Sequence, residues 1–181
     1  MDPFATLGID RTFDIDLAAA QKMHRQLSRM LHPDKHAAGG ASERRYALSK
    51  AIEVNEAWRL VRDPIRRAEA LFRLAGLSVG ESSEPTPTAE LLMDMMEQRE
   101  SLAEARSRGD LPAVRAVLAR TLDRASAAEK ALSEGFGRAG YEANREALET
   151  LLPRLGELRF YRRLVDDASE ALDPALARSE A

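Results

Sequence analysis

Apolar residues recur along this chain at helical spacing, and no convincing alternating stretch marks a strand. After a short opening turn, Asp14 or Asp16 can cap a helix running to about Leu31. Pro33 ends it, because a proline disfavours α geometry in the residue before it. "HAAGGA" reads as loop. Ser42 can cap a second helix that runs to about Arg62. Asp63-Pro64 then ends one helix and starts another, with Asp63 as cap and the proline in the first helical position. That third helix ends near Ala75, with Gly76 placed just past its end.

"SVGESSEPTPT" is the clearest linker, rich in Ser, Gly, Pro and Thr. Thr88 can cap the next helix. Asp110-Leu-Pro restarts a helix lasting to about Glu134, "GFGRAG" reads as loop, and a last helix is expected from about Tyr141 to Ala171. Pro153 and Gly156 fall inside that last helix and are expected to bend it. The layout predicts a first domain over 1–76, a linker over 77–87 and a three-helix antiparallel bundle over 88–181.

Composition narrows the fold class. Aromatics are 5% of the 181 residues, while the strong helix formers Ala, Leu, Glu and Arg are abundant, so the chain is expected to be all-α. Hydrophobic residues at 44% and charged residues at 31% argue against disorder. A net charge of −3 disfavours nucleic acid or an anionic membrane as the main partner. With no cysteine, disulfides, thiol catalysis and thiolate metal or cluster ligation are excluded. "MDPFATLGID" has no basic and apolar leader pattern, and no stretch approaches transmembrane length, so the cytoplasm is the default expectation. No nucleophile–base set or phosphate loop is present, so no catalytic residue, resident cofactor or metal is assigned.

The first candidate site lies in "AAAQKMHRQLSRMLHPDKH". At about 100° per residue, Lys22, Arg25 and Arg29 fall within an arc about 60° wide. Met23, Leu27, Met30 and Leu31 fall on the other side. No Asp or Glu occurs between Leu17 and His32. A three-residue stripe alone is most often a solvated face, but this one leads into His32-Pro33-Asp34, which must sit on a loop after the proline stop. His32 and His36 have helical metal spacing, yet Pro33 between them removes the shared face. A nucleic-acid site would need more basic residues or interleaved aromatics.

A basic helix followed by "HPD" resembles the J-domain, the module that activates DnaK-type ATPase chaperones. "FATLGI" resembles its usual opening, and "IEVNEAWRLVRDPIRRAEAL" resembles its third helix, with Asn55, Ala57, Trp58 and the Asp-Pro at 63 and 64 in place. The resemblance implies a helical hairpin plus short helices. It also implies that Lys22, Arg25, Arg29, His32, Pro33, Asp34, Lys35 and Asn55 engage the chaperone. Lys22, Arg25 and Arg29 would seat an acidic surface of its ATPase domain, and Asp34 would pair with an arginine there.

The second candidate site is "AELLMDMMEQRESLAEA", residues 89–105. With Leu91 at zero, Met95, Gln98, Leu102 and Ala105 gather within about 40° and form a bundle seam. Leu92, Met93 and Met96 lie elsewhere, beside Glu97, Glu100 and Glu104. Two readings stay open on periodicity alone. Leu92 and Met96 can pack against a second neighbour, or they can form a docking surface of adaptable apolar anchors with a carboxylate rim.

A J-domain, a short linker and a C-terminal three-helix bundle together resemble the HscB family, co-chaperones of iron–sulfur cluster assembly. The likeness runs through "HPDKHAAG", "RAEALFRLAG" and "LLMDMMEQRESL", which is similar to the family's F-L-M-E-x-L-E-x-R-E-x-L. It implies that an HscA/DnaK-type chaperone and the scaffold IscU are the partners. Leu92, Met93, Met96, Glu97, Glu100 and Glu104 would dock the scaffold, with Phe160 of "ELRFYRRL" as an aromatic of the same surface. Met96 stands where the family often has leucine, a change of similar volume. Some eukaryotic members carry an N-terminal cysteine metal site, which this chain lacks. The readings that compete are a J-domain co-chaperone for a different client and a helical nucleic-acid binder.

Overall fold

The computed structural model describes residues 1–36, 40–80, 87–140 and 145–173. These form α1 (Pro3–Leu7), α2 (Leu17–Met30), a 3-10 turn (Pro33–His36), α3 (Ala41–Arg62) and α4 (Pro64–Leu74). Then come α5 (Ala89–Ser107), α6 (Leu111–Ala139), α7 (Arg145–Glu149) and α8 (Leu152–Ala171). No strand occurs among the described residues, so the all-α expectation holds. Half of the expected loop "HAAGGA", most of the linker and the start of the last helix at Tyr141 lie outside the described residues.

Local chemistry sets most helix ends. Asp16 accepts the Ala19 amide at 2.9 Å and caps α2. Asp63 accepts the Arg66 amide at 3.0 Å, and Pro64 opens α4. Gly76, at φ 76°, turns the chain so that the Leu77 amide donates to the Phe72 carbonyl. Thr88 caps α5 and Asp110 caps α6. Ser42 does not cap α3. Gly40, extended at φ −64° and ψ 164°, starts that helix at Ala41 with no side-chain cap bond.

Two compact units form. The first comprises Met1–Val79 with Gly135–Glu149, the second Gly80–Glu134 with Thr150–Ala181. The stretch 135–149 thus joins the first unit, not the expected bundle of 88–181. Phe136 explains why. It stacks on Phe13 at 5.4 Å between ring centroids and tilts against Phe72 at 5.0 Å. This burial also carries α6 through "GFGRA" to Ala139, where a loop is expected from two glycines that each cost about 1 kcal/mol in a helix.

Phe4, Leu7, Val54, Ala57, Val61, Leu71, Leu77 and Leu148 complete the core of this unit. Arg67 is buried with them. It donates to the Val61 carbonyl at 3.0 Å and lays its guanidinium over the Phe13 ring at 4.7 Å.

The last helix also differs from expectation. It is broken into α7 and α8, and Pro153 sits in the first turn of α8, where its missing N–H leaves no bond unmade. Pro153 therefore starts a helix and does not bend one. In the second unit α5, α6 and α8 bury Leu102, Ala105, Val114, Val117, Leu132, Leu155, Leu158 and Leu164.

Replacing Phe136 by Ala is expected to destabilise the first unit by about 3–5 kcal/mol through the cavity left between Phe13 and Phe72. Trp58, the single tryptophan and part of that unit, makes its fluorescence during urea unfolding the direct measurement.

Candidate docking surfaces

The first surface is built on α2 and the turn after it. Among the residues of α2, Ala20 alone is fully buried. Met23, Leu27 and Leu31 are half-buried, and Met30, expected on the packed side, is 63% exposed. The helix is held at its middle by His24, whose ring stacks on Trp58 of α3 at 5.4 Å and whose Nε2 meets Asn55 Oδ1 at 3.0 Å. Asn55 is thus committed to the α2–α3 hairpin as well as exposed. Lys22, Arg25 and Arg29 are exposed and form no ion pair among the described residues.

The stripe leads into the 3-10 turn. Pro33 opens it, and the Lys35 amide donates to the His32 carbonyl at 3.0 Å. The Asp34 amide donates to His32 Nδ1 at 3.3 Å. The same Nδ1 lies 3.5 Å from Asp34 Oδ2, so the backbone and the side chain of Asp34 both meet one edge of the His32 ring. The Asp34 side chain is still 90% exposed, so most of its carboxylate meets solvent. Lys35 is exposed beside it.

The second surface lies on α5. Gln98, Leu102 and Ala105 are buried and Leu91 and Met95 half-buried, which is the expected seam. Leu92, Met93 and Met96 are 48%, 71% and 64% exposed, so these three apolar side chains stand outside the bundle. Of the two readings open from the sequence, packing against a second neighbour is the one the structure overturns. Glu97, Glu100 and Glu104 flank them in solvent, and Glu104 pairs with Arg108 at 2.6 Å.

Phe160 needs correction. It is only 5% exposed, with its ring edge-on to Tyr161 at 5.2 Å and the Arg99 guanidinium above it at 5.5 Å. It lies beneath the surface as a support, and the arginine covers the face it was expected to show.

The rotation of α5 is set by Asp94, which the sequence reading did not single out. Its carboxylate accepts the Tyr161 hydroxyl of α8 at 2.5 Å and pairs with Arg124 of α6 at 3.2 Å. Burial, and next the hydrogen bond to Asp94, push the Tyr161 phenol well above its ordinary range. The one signal in the sequence was an acidic residue inside an apolar run, "LLMDMM"; its partners on α6 and α8 are far away along the chain. Among the described residues no group of His, Asp and Glu has metal-site geometry, and no helix is long and apolar enough to cross a membrane.

Comparison with known proteins bears on the family and the fold. Residues 87–169 match the family model described as the HSCB C-terminal oligomerisation domain. A co-chaperone protein HscB homolog from Ralstonia nicotianae is 31% identical over 170 residues, covering 94% of this chain and 93% of that protein. The chain belongs to the HscB co-chaperone family. An HscB homolog from Neisseria meningitidis is 30% identical, over 93% of this chain and 98% of its own. Two solved structures share the fold. Chaperone HscB from Vibrio cholerae gives a TM-score of 0.78 at 23% identity, covering 94% of this chain and 96% of that one. Human co-chaperone protein HscB gives 0.81 at 22% identity, covering 93% and 81%.

Within this HscB-family bundle, Asp94→Ala removes the acceptor for Tyr161 and Arg124 and is expected to cost about 1–3 kcal/mol in chemical denaturation. Tyr161 has a pKa raised on folding, so its contribution is full below the unfolded tyrosine range and is lost as alkaline pH rises through it. Ultraviolet titration of Tyr161→Phe should accordingly lose a phenol that ionises well above the ordinary tyrosine range.

Proposed function

We propose that this chain is a co-chaperone of iron–sulfur cluster assembly. It binds an IscU-type scaffold through α5 and stimulates ATP hydrolysis by an HscA/DnaK-type chaperone through α2 and the turn after it. The observation that carries this reading is the pairing on one chain of two exposed surfaces of opposite character. One is an unpaired basic stripe running into an open His-Pro-Asp turn. The other is Leu92, Met93 and Met96 exposed beside Glu97, Glu100 and Glu104.

The two surfaces work by different physics. Lys22, Arg25 and Arg29 act over distance, steering an acidic ATPase domain and setting its register, with an effect that weakens as salt rises. Pro33 and the short 3-10 turn present His32 and Asp34 already ordered, which lowers the cost of binding. On α5 the apolar side chains supply area, and methionine adapts to the shape it meets. The glutamates select a partner of complementary charge. Holding the scaffold and engaging the chaperone from one chain raises the local concentration of one beside the other. Hydrolysis itself belongs to the chaperone. The scaffold trapped on it then releases its cluster to acceptor proteins.

His32→Gln is expected to leave helical content and denaturation midpoint unchanged while abolishing ATPase stimulation. Surviving stimulation would remove this reading of the turn. Met96→Ala combined with Glu97→Lys should weaken scaffold binding by about tenfold or more in calorimetry while basal stimulation without scaffold persists. An unchanged scaffold affinity would mean that α5 serves some other client.

A further inference from the structure

The His32 to Asp34 turn is short and exposed, and its own backbone supplies one bond, from the Lys35 amide to the His32 carbonyl. The next side chain ties it further. The His36 ring is half-buried behind the turn, with 24% of its side chain exposed. Its Nε2 lies 3.1 Å from the Met30 carbonyl, and its Nδ1 lies 3.3 Å from Glu43 Oε1. Met30 is the last residue of α2, and its carbonyl is among those a helix leaves without a partner of its own. Glu43 stands in the first turn of α3. One ring therefore spans the turn from the helix before it to the helix after it.

Both groups that the ring meets can only accept. Each contact needs an N–H, and neutral imidazole has one where imidazolium has two. Only the cation satisfies both contacts. α2 points the negative end of its dipole at the ring, and a carboxylate closes the other side. The same elements also carry Arg29, His32, Asp34, Lys35 and Arg44, so the wider charge is mixed, and Glu43 is the charged group bonded to the ring.

We propose that His36 is a positioning residue, an imidazolium clamp that ties α2 to α3 across the His-Pro-Asp turn and holds that turn ready for the chaperone. When the ring loses its proton, one contact loses its hydrogen and the turn is fixed at one end only. More co-chaperone is then needed for the same stimulation, while the maximum is unchanged. The functional part rests on the co-chaperone reading above; the clamp itself does not.

The test compares the full chain with His36→Gln, whose amide cannot gain a proton, in ATPase stimulation of a DnaK-type chaperone across pH. The ratio of the two chains cancels the chaperone's own pH dependence. The half-saturating concentration of the variant should exceed that of the unchanged chain by about three- to tenfold in mild acid. The gap should close as the solution is made alkaline, with equal maxima throughout. Glu43→Ala, an exposed change, should behave like His36→Gln, and the double variant should be no worse than either single one. A gap independent of pH, or additive single effects, overturns the clamp. If the unchanged chain stimulates no chaperone, the co-chaperone reading falls, and amide exchange at Lys35 decides the clamp alone. Protection above that of His36→Gln in acid only supports it, and equal protection at every pH overturns it.

Discussion

Asp94 decides which side of α5 meets solvent. That helix has apolar residues around much of its circumference, so the hydrophobic effect gives it only a weak preference in rotation. Turning Leu92 and Met96 inward in place of Leu91 and Met95 would bury a similar apolar area. A half-buried carboxylate breaks the tie, because turned inward it finds its donors in one orientation. Tyr161 and Arg124 supply them, from α8 and α6 respectively. The exposed Leu and Met side chains are thus a consequence of a polar choice made on the opposite face. Phe160 belongs to the same support, covered by Arg99 and braced by Tyr161.

The basic helix shows the complementary arrangement. It hardly contributes to the core, with Ala20 its one fully buried residue. Its position depends instead on the His24 contacts with Trp58 and Asn55 and on the core made by α1, α3 and α4. A helix held this lightly can devote most of its surface to a partner. The load falls on Phe13, Phe72, Phe136 and Arg67, which make that core dense enough to carry it.

The sequence made legible what depends on local rules. Asp16, Asp63, Thr88 and Asp110 cap where their chemistry says they should, and the helical period separates Leu102 and Ala105 from Leu92 and Met96. The open turn after Pro33 follows from the proline alone. What stayed illegible depends on partners distant in sequence. Gly135 and Gly137 argue for a loop, and only the burial of Phe136 against Phe13 and Phe72 keeps them helical. The family resemblance puts Phe160 on the docking surface, but its ring is buried and Arg99 lies over it. Met30 falls on the apolar arc of α2, yet that arc runs past the end of the core. Pro153 reads as a bend, and the break after Glu149 makes it a start.

The first unit is not one uninterrupted segment of sequence. A gene fragment ending at Val79 would carry every motif by which the module is recognised, and would still omit Phe136 and Leu148. Motif content and foldable content have different boundaries here. Grafting the first 79 residues onto a foreign carrier would transplant the signature without all of the core beneath it. Evolution by simple shuffling at the linker meets the same obstacle, which favours inheritance of the two halves as a single piece.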